Sequence, residues 1–449
     1  MSVRRAYTIL SLCYLAFVIY GSLIPFQFRP LPIEEAIDSF RHIPYLYLGI
    51  QSRADFIANI LLYIPLSFFL TGIWCGKACP WPIKSVWTLF VLLLCSLVAG
   101  AIEFIQVFFP PRTVSLNDVI AEILGTTLGI AFWYSIGGRL TRLWSAISAG
   151  GRQGLHAALV MYALFYLALC LFPFDFLVSR SEILWKLSTH SYHAFITEET
   201  CHNLLRCTVT LIVEIIAMVP FGILTGMRSP VRQNHILFTA LVYGGVLGIV
   251  IETSQFFIAS GISQGASVLT RIVGLGLGLW LFQSILKDRF STLRPFLRTG
   301  ILLGAIPYFL LVMTLKGWFS HDWVGFEEAL IKINKNMFIP FYYHYFGTEM
   351  NAVINLLSNA AAFVPIGVGY WAWHFSRRTF SCSAFMASFY GGAVALLIET
   401  GRLFPAGKYP DFTNVLIAGL SAGAGYIISA WAYRAFSELQ IMSTELHEE

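Results

Sequence analysis

Long apolar stretches recur along the chain at a length that is typical of membrane-spanning helices. A helix needs roughly 20 predominantly apolar residues to cross the hydrocarbon core of a bilayer. Twelve stretches reach that length, at residues 5–25, 54–74, 86–109, 115–136, 154–174, 208–227, 236–259, 266–286, 299–317, 350–374, 382–404 and 411–433. None alternates over about 10 residues as the strands of a transmembrane barrel do. The pattern therefore predicts an all-α polytopic membrane protein with about twelve transmembrane helices.

Composition supports a membrane location, and the placement of charge predicts an orientation. Only 12% of the 449 residues are charged and 57% are hydrophobic, whereas a soluble domain carries about 25% charged residues. Basic residues cluster at the amino terminus, at Arg4 and Arg5, and in every second connection between spans, at Lys77 and Lys84, Arg139 and Arg142, Arg228 and Arg232, Lys287 and Arg289, and Arg377 and Arg378. Because basic loops stay on the cytoplasmic side, we expect both termini to be cytoplasmic.

Three glutamates lie deep in apolar stretches, and the residues around them repeat in one register. Counted from Glu103, Glu252 and Glu399, the corresponding residues are Gln106, Gln255 and Arg402 after three positions, Asp118, Ser267 and Asn414 after fifteen, and Glu122, Arg271 and Ala418 after nineteen. The preceding spans place Asn59, Glu214 and Asn359 six residues before a proline. We therefore predict three parallel four-span modules: residues 1–150 (first module), 151–296 (second module) and 297–449 (third module).

The polar residues of each module are predicted to gather near the outer ends of its second, third and fourth spans. Glu103 lies about two helical turns from the end of its span, on the order of 10 Å below the surface. We predict a polar pocket there that opens toward the periplasm, with basic residues at its rim. The candidate catalytic residues are Glu103 and Asp118, and the candidate ligand-binding residues are Asp55, Asn59, Gln106, Arg112, Glu252, Gln255, Asn359, Glu399, Arg402, Lys408 and Asn414.

A purely structural role is the competing interpretation of these polar residues. Side chains within spans often bond one helix to another, and Arg271 is expected to form such a pair with Glu122 of the first module. Three glutamates in register favour a ligand site instead, because neutral amides would make the same bonds at a lower desolvation cost.

The motifs of the first module resemble the VanZ-like family of bacterial membrane proteins. The segments that carry the resemblance are DFIANILLYIPLS (residues 55–67) and EFIQVFFPPRTVSLNDVIAEILGTTLG (residues 103–129). The family pattern carries over to Asn59, Glu103, Gln106, Arg112 and Asp118, whereas Glu122 departs from it, and the match weakens in the other modules. The resemblance implies a multi-pass protein of the bacterial inner membrane that acts in the cell envelope, with a link to teicoplanin resistance.

Three functions are compatible with this sequence. The first is binding or handling of an envelope lipid, such as a polyprenyl-linked glycan, together with envelope-biosynthesis proteins. The second is a membrane-embedded hydrolase or transferase that uses Glu103 and Asp118 as paired carboxylates. The third is a transporter, which three modules favour less than the two-halved design common in alternating access.

Other chemistry has little support in the sequence. No Walker motif, serine triad, haem pattern or redox CxxC is present, and no basic run indicates nucleic-acid binding. The histidines and glutamates of residues 190–202 do not have the spacing of a zinc site. We therefore expect no cofactor and no bound metal.

Overall fold

The computed structural model describes residues 3–75, 80–188, 192–193, 204–229, 231–261, 263–286, 294–319, 322–377 and 383–448, almost all of them in helices. The α-helices are α1 (Val3–Leu23), α2 (Ile33–Arg41), α3 (Ile50–Trp74), α4 (Trp81–Gln106), α5 (Leu116–Phe132), α6 (Gly138–Ala149), α7 (Gly151–Leu171), α8 (Arg180–Ser188), α9 (Leu204–Arg228), α10 (Ile236–Thr239), α11 (Gly245–Phe256), α12 (Gly265–Leu281), α13 (Arg294–Leu315), α14 (Phe326–Ile331), α15 (Tyr342–Tyr345), α16 (Glu349–Arg377), α17 (Ala384–Gly401) and α18 (Phe412–Glu448). Turns of π-helix continue three of them, at Trp133–Gly137, Ala240–Gly244 and Phe282–Leu286. Two short strands, β1 (Tyr192–His193) and β2 (Ser263–Gln264), pair in parallel.

Among the described residues, twelve helical segments are long and apolar enough to cross a membrane. Each overlaps one of the twelve stretches that the sequence predicts, and the fourth extends further, over Leu116–Ala149, because π-helical residues join α5 to α6. The prediction of an all-α polytopic membrane protein is therefore confirmed. Many large apolar side chains on these helices are exposed, as expected of helices that face lipid.

The described residues form two compact units. One unit comprises Met1–Ser145 with Phe172–Ser179 and Ile258–Ser260, and its core of buried residues is centred on Tyr63, Leu66 and Val91. The second unit contains the remaining helices, from Ala146 onward. It has several smaller cores, one of which contains Met218 and Leu279 and another Phe363 and Ile398.

Within each module, the second and fourth spans pack closely through small residues at the same register. The pairs are α3 with α5, α9 with α12, and α16 with α18. A Cβ atom added at Gly129, Gly278 or Gly425 would lie 2.3, 2.1 or 2.6 Å from the carbonyl oxygen of Ile64, Val219 or Val364, respectively. Each of these carbonyls lies five residues after the polar residue of the second span. Glycine is therefore required because backbone meets backbone at this point.

We expect Gly278→Ala to lower the thermal stability of the detergent-solubilised protein. The new methyl group would overlap the Val219 carbonyl and the Gly222 Cα atom, at 2.1 and 2.9 Å, and overpacking of this kind costs about 1–3 kcal/mol. Gly304→Ala is the matched control, because no atom lies within 4 Å of the added Cβ. Equal melting temperatures for the two variants in a fluorescence-detected unfolding scan would contradict the close approach.

Candidate functional site

The first-module site is built where α4 ends and α5 begins. Glu103 lies in the last turn of α4, and Ser115 caps the first turn of α5 in an extended conformation. The Ser115 hydroxyl donates to Asp118 Oδ2 at 2.6 Å, and Asn59 Nδ2 on α3 donates to Asp118 Oδ1 at 2.7 Å. Both oxygens of Asp118 are therefore held by hydrogen bonds.

Each of the three repeated glutamates accepts an equivalent hydrogen bond. The carboxylates of Glu252 and Glu399 accept from the backbone N–H twelve residues later, from Gln264 at 2.5 Å and from Asp411 at 3.0 Å. Glu103 accepts from the corresponding N–H, that of Ser115. Each donor immediately precedes the helix of the fourth span. The glutamate thus ties the third span to the unsatisfied N-terminal end of the fourth, which is a structural role that recurs in every module.

In the second module a cation fills the rest of the site. Arg271 Nη1 donates to Glu252 Oε1 at 2.5 Å, and both side chains are buried. The expected pair between Arg271 and Glu122 is therefore wrong, because the guanidinium bonds to the glutamate of its own module. Gln255 Nε2 donates to the Cys170 carbonyl at 3.2 Å. Glu214 accepts from Ser267 and Thr270, at 3.2 and 2.7 Å.

The third module also neutralises its glutamate internally. Arg402 Nη1 lies 3.0 and 2.8 Å from the two carboxylate oxygens of Glu399, and Asn414 Nδ2 donates to Oε1 at 2.9 Å. Asn359 joins this end of the module through a hydrogen bond from Lys316 Nζ. The predicted residues Glu399, Arg402 and Asn414 are thus brought together, whereas the Lys408 side chain packs against Gly317.

The first module differs because its buried polar atoms without a hydrogen-bond partner include carboxyl oxygens, whereas those of the other modules include atoms of Arg271, Tyr343, His344 and Arg402. The side chains of Glu103 and Glu122 are 3% exposed and that of Tyr63 is 0% exposed. The Tyr63 hydroxyl lies beside the Glu122 carboxyl and close to Glu103, and Glu103 is near enough to Glu122 and Asp118 for their charges to interact. Nevertheless, no described residue makes a hydrogen bond of ordinary geometry to Glu103 Oε2, Glu122 Oε2 or Tyr63 Oη.

The remaining first-module candidates surround this cluster. Gln106 Nε2 donates to the Ser22 carbonyl at 2.9 Å, and Arg112 Nη2 donates to the Gly21 carbonyl, so both hold the end of α1. The Arg112 charge also acts on Glu103 and Asp118. Asp55 is exposed and interacts with Asp118. Asp55 and Arg112 thus lie at the rim of the site, whereas Gln106 is buried.

Tyr63 is the functional candidate that the sequence analysis missed. It lies four residues after Asn59, and the corresponding residues of the other modules are Met218 and Phe363, both fully buried. The hydroxyl therefore occurs only in the first module, at a position where the other modules have apolar side chains. A comparison of this position across the three modules would have identified Tyr63.

Three lysines outside the predicted site bind the same end of the second and third modules. Lys186 Nζ on α8 donates to the carbonyls of Gln255 and Gly261, at 3.4 and 2.7 Å. Lys332, just after α14, donates to Leu403 and Pro405, at 2.8 Å each. Lys316 Nζ donates to Asn359 Oδ1, and its charge lies near that of Glu399.

The first-module site is closed in this structure, in contrast to the predicted open pocket. The segment before α3 lies over it, since Asn117 bonds to both the N–H and the carbonyl of Leu46, at 2.7 and 3.0 Å, and Leu116 N donates to the Pro44 carbonyl at 3.0 Å. A groove of about 520 Å³ lies at the opposite end of α4, beside Trp81 and Thr88. That groove is remote from Glu103.

Metal binding finds no support among the residues that the structure describes. These contain no group of three or more His, Cys, Asp or Glu side chains arranged to hold a metal ion. Of the histidine- and glutamate-containing segment 190–202, only residues 192–193 are described. The carboxylates of the first module are therefore not grouped as metal ligands.

The comparisons with known proteins concern the first module. No curated protein and no solved structure matches the chain. Residues 6–137 match the model of the VanZ/LLP1 family. This range covers most of α1, all of α2 to α5 and every residue of the first-module site. The chain is thus a multi-pass membrane protein that contains a VanZ-like domain.

Proposed function

We propose that this protein binds the head group of an envelope lipid, such as a lipid-linked glycan, in its first module. One observation carries the proposal. Glu103 Oε2, Glu122 Oε2 and Tyr63 Oη are buried and make no hydrogen bond of ordinary geometry to the described residues, although Tyr63 and Glu122 lie side by side, whereas Glu252 and Glu399 are neutralised by arginines of their own modules. The second and third modules serve as scaffold, and the first retains the binding site.

The energetic cost of buried polar atoms supports a ligand-binding role for this cluster. A buried polar group without a partner costs about 1–3 kcal/mol, and more if it is charged. Three such atoms in one cluster are therefore expensive unless a bound molecule supplies hydrogen-bond donors. The hydroxyl groups of a sugar are suitable donors to carboxylates, and Arg112 at the rim offers a positive charge to a lipid phosphate.

The predicted location agrees with a lipid ligand. If both termini are cytoplasmic, as the basic loops indicate, the end of α4 that carries Glu103 faces the periplasm. The acyl or prenyl chain of a lipid would lie along the exposed apolar faces of the helices, and its head group would reach the site beneath the segment at Pro44 and Leu46.

An enzyme on the same lipid is the second candidate function, and the unequal state of two carboxylates favours it. Asp118 is held at both oxygens by Asn59 and Ser115, whereas Glu103 keeps one oxygen without a partner. In such a reaction Glu103 would transfer the proton as general acid or base and Asp118 would orient the substrate. For a transporter, no arrangement of the described residues offers comparable support.

Lipid analysis of the purified protein tests the proposal. We expect a specific envelope lipid to co-purify with the wild-type protein and to be lost from Glu103→Gln, because the amide cannot offer the carboxylate's charge. Glu35→Gln, an exposed change on α2, is the control and should retain the lipid. Identical bulk phospholipid in all three preparations, measured by mass spectrometry, would show that the glutamates serve helix packing only.

A further inference from the structure

The three modules differ in how their shared glutamate is paired with a positive charge. In the second module Glu252 is paired with Arg271, and in the third Glu399 is paired with Arg402, with the charge of Lys316 nearby. The first module groups Glu103, Asp118 and Glu122, and the nearby cation is Arg112. The first-module site therefore has an excess of acidic side chains over cations, and Glu103 has no arginine partner of the kind that Glu252 and Glu399 have.

The missing cation has a definite place in the register. Arg271 stands nineteen residues after Glu252, and Glu122 stands nineteen residues after Glu103. In the second module the guanidinium therefore fills the space next to the shared glutamate, where the first module has a second carboxylate and the Tyr63 hydroxyl. Where the second module has a protein cation, the first module has carboxyl and hydroxyl oxygens.

We propose that the lipid recognised by the first module carries a primary ammonium group, which binds between Glu103, Glu122 and Tyr63. This inference rests on the proposed function and specifies its ligand. A primary ammonium has three N–H donors and no acceptor, and the cluster offers three unpartnered oxygens: Glu103 Oε2, Glu122 Oε2 and Tyr63 Oη. Its positive charge also offsets the excess of carboxylates. Ethanolamine and amino-sugar head groups both belong to this class.

Other cations fit the cluster less well. A quaternary ammonium has no N–H donor and is favoured by aromatic faces, whereas the acceptors here are carboxylate and hydroxyl oxygens. A divalent metal ion requires a group of ligands that the described residues do not provide. A neutral hydroxyl would satisfy one acceptor and leave the charge excess unchanged. A primary ammonium satisfies the acceptors and the charge together.

Native mass spectrometry of the full-length protein in detergent tests this inference with three probes. Phosphatidylethanolamine presents the ammonium, and its N-acetyl derivative has the same acyl chains but a neutral amide. Undecaprenyl phosphate, the third probe, is a lipid that carries a phosphate but no amine. We expect the wild-type protein to retain phosphatidylethanolamine at least about tenfold more strongly than the N-acetyl form, as the loss of a charge-assisted hydrogen bond implies, and the preference to disappear in Glu103→Gln.

The outcomes separate this inference from the proposed function. If the protein retains undecaprenyl phosphate in a Glu103-dependent way and shows no preference for the amine, the proposed ammonium ligand is overturned. Lipid binding by the first module then still stands. Equal retention of all three probes by wild type and Glu103→Gln would overturn both. Tyr63→Phe is the folding control, because Phe363 occupies the corresponding position of the third module. It should melt like the wild type but retain phosphatidylethanolamine less strongly, since one acceptor is removed.

Discussion

The variant Glu122→Arg is expected to lose the bound lipid while remaining folded. In the second module, Arg271 at the corresponding position bonds to Glu252 at 2.5 Å. An arginine at position 122 would give Glu103 the same internal partner and would fill the space assigned to the ammonium group. The ligand then loses two of its hydrogen-bond acceptors on the protein, and the site loses one acidic side chain. We expect phosphatidylethanolamine retention to fall by at least about a hundredfold in native mass spectrometry.

The matched control for this change is Glu122→Ala, because Ala418 stands at the same position in the third module. It removes one acceptor without supplying a cation, so retention should fall less than in Glu122→Arg. Melting temperatures distinguish loss of the ligand from loss of the fold. If Glu122→Arg retains the lipid as well as the wild type does, the cluster is not the place where the head group binds.

The second large effect concerns stability rather than binding. We expect Arg271→Met to lower the free energy of unfolding by about 3–5 kcal/mol, because it leaves the Glu252 carboxylate buried without its counter-charge. Glu252 also accepts from the Gln264 N–H at the start of α12, so its mispairing disturbs the contact between two spans. Denaturant titration in detergent micelles, followed by tryptophan fluorescence, measures the change.

A second substitution separates the charge from the volume of the side chain. Arg271→Met combined with Glu252→Gln removes both charges but keeps an amide oxygen for the Gln264 N–H. Replacement of a whole buried ion pair is often neutral or stabilising, so the double variant should regain most of the stability. A double variant as unstable as Arg271→Met alone would show that guanidinium packing, rather than charge balance, stabilises the second module.

The fold was largely predictable because membrane helices impose a strong pattern. Backbone groups within a bilayer must bond internally, so apolar stretches of sufficient length have one available structure. The register of Glu103, Glu252 and Glu399 likewise identified three positions that make one common hydrogen bond. The orientation of the termini and the division into three modules stay predictions, since they depend on the membrane and on comparison of the repeats.

The partners of the site residues were harder to predict. Arg271 was assigned to Glu122 because sequence alignment shows which positions correspond, but not which side chain lies across the helix interface. The structure pairs it with Glu252, nineteen residues earlier. Lys186 was missed because it lies 75 residues from Gly261, whose carbonyl it binds. Such contacts depend on how the segments between spans fold back onto the helices. Hydrophobic periodicity does not predict the path of these segments.

Tyr63 was missed for a different reason. A tyrosine in an apolar span is usually explained by packing, and Tyr63 indeed lies in the core with Leu66 and Val91. Its hydroxyl becomes informative only when its neighbours in space are known to be Glu122 and Glu103. The difference between the modules, rather than their similarity, indicates which of them binds a ligand.

The most direct measurement is a cryo-electron microscopy map of the wild-type protein in nanodiscs made from bacterial lipids, at a resolution that shows side-chain carboxyl groups. We predict non-protein density between Glu103, Glu122 and Tyr63 that continues into a lipid chain along the helices, with no such density beside Glu252 or Glu399. A map in which these three side chains bond only to each other or to protein groups, with no density between them, would contradict a ligand site in the first module.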